Sequence, residues 1–293
     1  MRRATFVFLL AAAYAYGAIS HEHRWFPTAE IERGLRQALW HFRGERGFND
    51  PSGRAPVDCH SFDKPRTAIL LTLGQSNAAS EGEGGYVPGP GVFNLNFLDG
   101  RCYVARDPLL GTTGNGGSPW TRLADKLIAS GHYDQVLIVP IAVGGTGIAR
   151  WAKGGDLHPR IARAEAALRS AGLHATHVLW HQGENDARRM AKDEYVQQFG
   201  SVLQGLRDAG IDAPVFVAVA TICGNRGSDA IRAAQREIPR RFANVLAGPD
   251  TDRIDRLRWR RDGCHFSAEG LDHHAEAWRR VIAGDPEPPE AAD

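Results

Sequence analysis

Three short blocks carry residue types that could run acyl transfer. Gly74-Gln75-Ser76-Asn77 ends an apolar run, Trp180-His181-Gln182-Gly183-Glu184-Asn185-Asp186 ends a second, and Asp262-Gly263-Cys264-His265 lies near the C-terminus. A serine hydroxyl becomes a nucleophile once a base removes its proton. A histidine serves as that base when a carboxylate fixes its tautomer. Ser76 is the candidate nucleophile and His265, three residues after Asp262, the candidate base. Ser76 sits in no Gly-x-Ser-x-Gly elbow, and its spacing alone fits a helix cap equally well. His181, His273 and His274 compete as bases; the last two fall in a helical surface pattern, whereas His181 follows a strand and could orient other groups. The developing oxyanion needs donors. The Ser76 N–H, the backbone of the 114–117 glycine run and the amide of Gln182 or Asn185 qualify. Glu184 and Asp186 raise a rival: with Asp262 they could form a carboxylate pair for glycosidic cleavage. That reading leaves Ser76 and His265 idle.

These blocks need a frame that brings distant segments to one edge. From residue 68 onward, short apolar runs alternate with amphipathic stretches. The pattern predicts strands over 69–73, 135–140, 176–180, 215–221 and 244–247. Helices are predicted over 120–129, 159–171, 192–209, 229–242 and 268–282, the last with Ser267 as its cap. Nearly all-apolar strands belong to a parallel sheet covered on both faces, so the class is a three-layer α/β/α domain. In such sheets the carboxyl ends of the strands hold the site. The stretch 82–117, with Tyr86, Phe93, Phe97 and Tyr103, reads as a long glycine-rich loop suited to substrate walls.

The chain has 293 residues, 43% of them hydrophobic, enough for one large domain. Its 35 basic and 34 acidic residues give a net charge of +1, which argues against a nucleic-acid footprint. The arginine cluster 256–261 reads as solvated surface. Arg2 and Arg3 precede an apolar run over 4–19, the layout of a secretory signal peptide or an uncleaved membrane anchor. Residues 20–67 read as an accessory segment with a helix over 29–42, residues 68–283 as the main domain, and 284–293 as a polar tail. An exported protein, periplasmic or secreted, is the expectation. Four cysteines fit that compartment; of three connectivities, Cys59–Cys102 and Cys223–Cys264 are favoured, the second tying a late loop to the one carrying His265. Their spacing matches no zinc signature, so no metal is expected.

Taken together, these motifs resemble the SGNH (GDSL-like) hydrolase superfamily, in particular its sialate O-acetylesterase-like and acetylxylan-esterase-like branch, over residues 67–282. Gly74-Gln75-Ser76-Asn77 resembles the nucleophile block, and Asp262-x-x-His265 the final catalytic block. His181-Gln182-Gly183-Glu184 and the overlapping Gly183-Glu184-Asn185-Asp186 resemble two forms of the third block, so either Gln182 or Asn185 supplies the side-chain donor, with Gln182 favoured by the likeness to this branch. Gly117, before Ser118-Pro119-Trp120, best matches the oxyanion glycine. The 143–151 loop resembles the branch's pocket loop, with Thr146, His181 and Glu184 nearby, and Trp151 either stacks on a sugar or packs inside. The resemblance implies a flavodoxin-like sandwich with a mostly parallel sheet. It also implies a serine esterase that removes O-acetyl groups from a glycan through an acyl-enzyme, without cofactor, nucleic acid or obligate protein partner. A glycan O-acetyltransferase and a noncatalytic carbohydrate-binding protein on the same scaffold are the alternatives.

Overall fold

The computed structural model describes Tyr16 and residues 50–285. The signal or anchor segment, the 29–42 helix and most of the polar tail lie outside the described residues.

Strands β1 (Pro56–Val57), β2 (Thr67–Gly74), β3 (Val92–Asn96), β4 (Arg101–Val104), β5 (Gln135–Pro140), β6 (His177–His181), β7 (Val215–Val219) and β8 (Val245–Asp250) form one sheet. Its order is β1-β4-β3-β5-β2-β6-β7-β8. The pairs from β3 through β8 are parallel, and only β1–β4 and β3–β4 are antiparallel. Helices α1 (Pro119–Ala129), α2 (His158–Ser170), α3 (Lys192–Asp208), α4 (Asp229–Arg241) and α5 (Ala268–Ala283) supply the connections and the C-terminal cover. Helix α1 packs on α5, while α2 packs on α3 and α3 on α4. The five strands and five helices predicted from residue 68 onward are all present, with ends shifted by up to three residues. Ser267 caps α5 as expected, its hydroxyl accepting the Gly270 N–H at 3.1 Å.

The 82–117 stretch departs from the expectation of a loop. It contributes β3 and β4, which extend the sheet beyond β5. Phe93 and Tyr103 lie on these strands, and Phe97 and Tyr103 are buried, so they build core rather than substrate wall. The glycines around them masked a short strand pair.

Every residue of β2 is buried, as a central strand covered on both faces requires. Ala68 and Leu70 join Leu179, Trp120, Ala275 and Trp278 in the cluster beneath α1 and α5. Alternation along the strand turns Leu71 and Leu73 to the opposite face. Reading β2, β5, β6, β7 and β8 as 1 to 5, the order in space is 2-1-3-4-5, and successive connections leave β2 in opposite directions. The crevice outside its carboxyl end is therefore the place for a site. Ser76 lies two residues past that end.

Candidate active site

Gly74 has φ of +137°, and a Cβ there would lie 1.9 Å from the His181 carbonyl oxygen. Only glycine lets β2 and β6 close up at this level. The next N–H, from Gln75, donates to that same carbonyl at 3.2 Å. The chain then turns into a short 3-10 helix, Ser76–Ala78, and presents Ser76 at its first position. Among the described residues the Ser76 hydroxyl and N–H make no hydrogen bond, although the residue is largely buried.

The histidine block forms a compact turn. Asp262 Oδ1 accepts the backbone N–H groups of Cys264 at 3.0 Å and His265 at 2.7 Å, and its Oδ2 lies 2.7 Å from His265 Nδ1. Burial alone would raise the Asp262 carboxyl, but these bonds from His265 and Cys264 hold it below the ordinary value. A carboxylate acceptor there keeps the proton on Nδ1 and leaves Nε2 as the basic nitrogen. Buried Arg260 holds the turn from behind, donating to the carbonyls of Cys264 at 2.8 Å, Ile254 at 2.7 Å and Thr251 at 3.0 Å.

Asn77 joins the two turns. Its Nδ2 donates to Glu184 Oε1 at 2.8 Å and to the Cys264 carbonyl at 3.2 Å. The residue after Ser76 is thereby bonded to the residue before His265. Arg261 adds a second tie, donating to the Glu81 carbonyl at 3.0 Å. The Glu81 carboxylate lies 4.0 Å from His265 Nε2 and accepts the Thr113 hydroxyl at 2.8 Å. Two disulfides are present, Cys59–Cys102 and Cys223–Cys264, in the expected pairing.

Several residues expected at the substrate surface lie beneath it. Trp151 and Thr146 are fully buried, and the indole N–H of Trp151 donates to the Thr146 hydroxyl at 3.2 Å. Trp151 packs edge-on against Trp180, so the packed alternative holds and no ring is left for a sugar. His181 is fully buried, with Nε2 3.1 Å from Glu184 Oε1. Glu184 is buried and bonded to His181 and Asn77, and Asp186 is buried as well. Glu184 Oε1 and Asp186 Oδ2 are taken up by these and other internal bonds, which argues against a carboxylate pair for glycosidic cleavage.

The oxyanion candidates divide similarly. Gly117 pairs with Gly82 in an isolated bridge, each N–H donating to the other's carbonyl at 3.0 Å. Its N–H is therefore committed, and that of Gly116 donates to Ser80 at 2.8 Å. The amide of Gln182 is fully buried and donates to Asp186 Oδ2 at 2.6 Å, Gln75 Oε1 at 3.2 Å and the Thr146 carbonyl at 3.2 Å. With two protons and three acceptors, it has nothing left for a substrate. Asn185 is exposed, and among the described residues its side chain makes no hydrogen bond. Its backbone N–H donates to Gln75 Oε1 at 3.1 Å, which anchors it beside the Ser76 turn. The 143–147 loop also reaches this point, since the Val143 N–H donates to the Gly74 carbonyl at 3.1 Å. Gly145 within it is exposed, with an N–H that has no partner among the described residues.

Residues 66–280 match the family model described as carbohydrate esterase, sialic acid-specific acetylesterase. The chain belongs to this carbohydrate esterase family. A probable carbohydrate esterase of Arabidopsis thaliana, At4g34215, is 32% identical over 227 residues, spanning 68% of this chain and 83% of the relative. Its crystal structure superposes with a TM-score of 0.61 over 75% of this chain and 99% of that one. NanS, at 18% identity, gives a TM-score of 0.51 and covers 74% of this chain and 97% of its own. A GDSL-like lipase from Parabacteroides merdae, at 12% identity, gives 0.52 over 76% and 98%. At these identities the structural likenesses establish the fold, and the family match makes the protein a carboxylic ester hydrolase.

Asn77, Gln75 and Glu81 are structural contributors that motif reading missed, while Arg260, read as solvated surface, and His274, read as a competing base in a helical surface pattern, are both buried. Asn77 and Gln75 stood inside a motif and could have been assigned. Glu81 and Arg260 carry no local signal, because their partners are brought to them by tertiary packing. Among the described residues no cluster of His, Cys, Asp and Glu could hold a metal ion, and no helix is long and apolar enough to cross a membrane.

Proposed function

We propose that this esterase removes O-acetyl groups from a carbohydrate through a covalent acetyl-Ser76 intermediate. The observation that carries the reading is the Asp262-supported His265, whose turn is bonded through Cys264 and Asn77 to the turn of an unpartnered Ser76. His265 Nε2 takes the Ser76 proton as Oγ attacks the acetyl carbonyl carbon. The Ser76 N–H and Asn185 Nδ2 stabilise the oxyanion, with the 143–147 loop as the third wall. The tetrahedral adduct collapses, the C–O bond to the sugar breaks, and His265 returns its proton to the leaving alkoxide. Water, deprotonated by the same nitrogen, attacks the acetyl-enzyme and releases acetate. Asp262 stays ionised throughout and stabilises the imidazolium.

The two disulfides and the apolar N-terminal run support export to an oxidising compartment. The test compares the native chain with Ser76→Ala on p-nitrophenyl acetate and on acetylated sialic acids, xylan and bacterial envelope glycans, with acetate release followed. Activity should fall by at least about 10³-fold in the variant. A native chain that frees no acetate from any ester, or a variant that keeps its rate, overturns the mechanism. Acetyl transfer to added acceptor sugars in preference to water would make it a transferase instead.

A further inference from the structure

A row of buried polar side chains runs from α5 to the Ser76 turn, with no direct part in the proposed chemistry. Trp278 Nε1 lies 3.0 Å from His274 Nε2, which lies 3.1 Å from His181 Nδ1. His181 Nε2 lies 3.1 Å from Glu184 Oε1, which accepts Asn77 Nδ2 at 2.8 Å. Trp278, His274 and His181 are fully buried.

The proton positions follow from the one end that cannot change. An indole N–H only donates. His274 Nε2 must therefore accept, so the neutral ring carries its proton on Nδ1, an atom buried without a partner. Burial, with His181 and Arg260 nearby, holds His274 well below the ordinary histidine value and so neutral. A bare Nε2 facing His181 Nδ1 requires that nitrogen to be the donor. One further proton then lies between His181 Nε2 and Glu184, making them a pair of zero net charge. The other Glu184 oxygen is buried and unpartnered, so both bonds of this carboxylate converge on Oε1. Asn77 is aimed by that oxygen.

We propose that His274 is a positioning residue of the esterase, acting through His181 and Glu184 to hold Asn77 where it joins the Ser76 turn to the His265 turn. The inference rests on the proposed mechanism for its catalytic consequence, but the proton assignment stands apart from it. His274→Phe keeps a ring of similar size and removes the acceptor. His274→Gln restores one, since its Oε1 can take both donors.

The experiment pairs kinetics with nitrogen NMR on the full chain. Expected for His274→Phe is a kcat about 10-fold lower per folded molecule, with KM within about twofold, and for His274→Gln a return to within about threefold of native. The native His274 ring should show Nδ1 protonated and Nε2 bare. Native kcat per folded molecule in His274→Phe would overturn the positioning role, as would a loss that His274→Gln does not relieve. If His274→Phe does not fold, native kcat or an unrelieved loss in His274→Gln judges it. A protonated His274 Nε2 would overturn the assignment. A native protein that cleaves no ester would sink the proposed function while leaving the NMR result to stand or fall alone.

Discussion

The two disulfides allow stability and positioning to be separated in one protein. Cys59–Cys102 closes a loop with a sequence separation of 43, Cys223–Cys264 one of 41. Chain-entropy arguments give each about 4 kcal/mol at 25 °C, an upper figure since removal also relaxes the folded state. Removing either pair by double Cys→Ala substitution should therefore lower the melting temperature by a similar amount, at most roughly 8–16 °C for a domain of this size. Their surroundings differ. Cys102 lies on β4, three strands from β2, whereas Cys264 adjoins His265. Without Cys223–Cys264 the histidine turn keeps its bonds to Asp262, Arg260 and Asn77 but loses its covalent tie to the 222–227 loop. A displacement approaching 1 Å at a reacting group costs up to about 100-fold in rate. Cys223→Ala with Cys264→Ala should thus lose between about 10- and 100-fold in kcat/KM on p-nitrophenyl acetate, assayed well below the melting temperature. Cys59→Ala with Cys102→Ala should stay within about twofold. Equal melting losses with equal, near-native activities would refute the view that this bond positions the base.

Asn185→Ala should lower kcat by about 10²- to 10³-fold with little change in KM or melting temperature, as loss of one oxyanion donor does. Gln182→Ala should act mainly on the melting temperature; the reverse pattern in steady-state kinetics and thermal melts would transfer the donor role to Gln182. Asp107 offers a test in stability. Burial pushes its carboxyl up to about 7 from the ordinary 3.8, against the opposing bonds from Ser118 and Thr121. The native state therefore holds a proton that the unfolded chain has released, and the stabilisation is complete below about pH 4 and lost as pH rises through about 7. Asp107→Asn should flatten that slope in denaturant titrations, gaining on the native protein by a few kcal/mol at most between about pH 4 and pH 8. Parallel slopes in the two proteins would refute the assignment.

The frame of this esterase was legible because β2, β5, β6, β7 and β8 and the helices α1 to α5 obey simple periods. The blocks at their ends were legible because strand ends in such a sheet meet along one edge. Depth was not. His181 ends a strand and Gln182, Thr146, Trp151 and Glu184 follow strands, and motif spacing places them near Ser76 without saying whether they face solvent or the layer beneath. The 82–117 stretch was misread for a related reason: its strands are short, and the glycines around them mimic loop composition. Glu81 was invisible because its neighbours, Thr113 and His265, come from segments far along the chain.

For His181 the depth could have been derived. Side chains alternate along a strand, so residues 179 and 181 of β6 share a face and Trp180 takes the other. Leu179 packs in the cluster that contains Ala275 and Trp278 of α5, while Trp180 meets Phe199 and Tyr195 of α3. His181 must then point under α5. On that helix His274 stands four residues before Trp278 and three after Leu271, both buried, and so on the same inward face. Two imidazoles driven into one apolar layer from a strand and a helix have as partners each other, the indole N–H of Trp278 and the nearest carboxylate. Burial without a partner costs more than the bond returns. The contact His181–His274 is thus the expected outcome of two periodicities meeting, and the Glu184 it recruits is held away from the substrate side for the same reason.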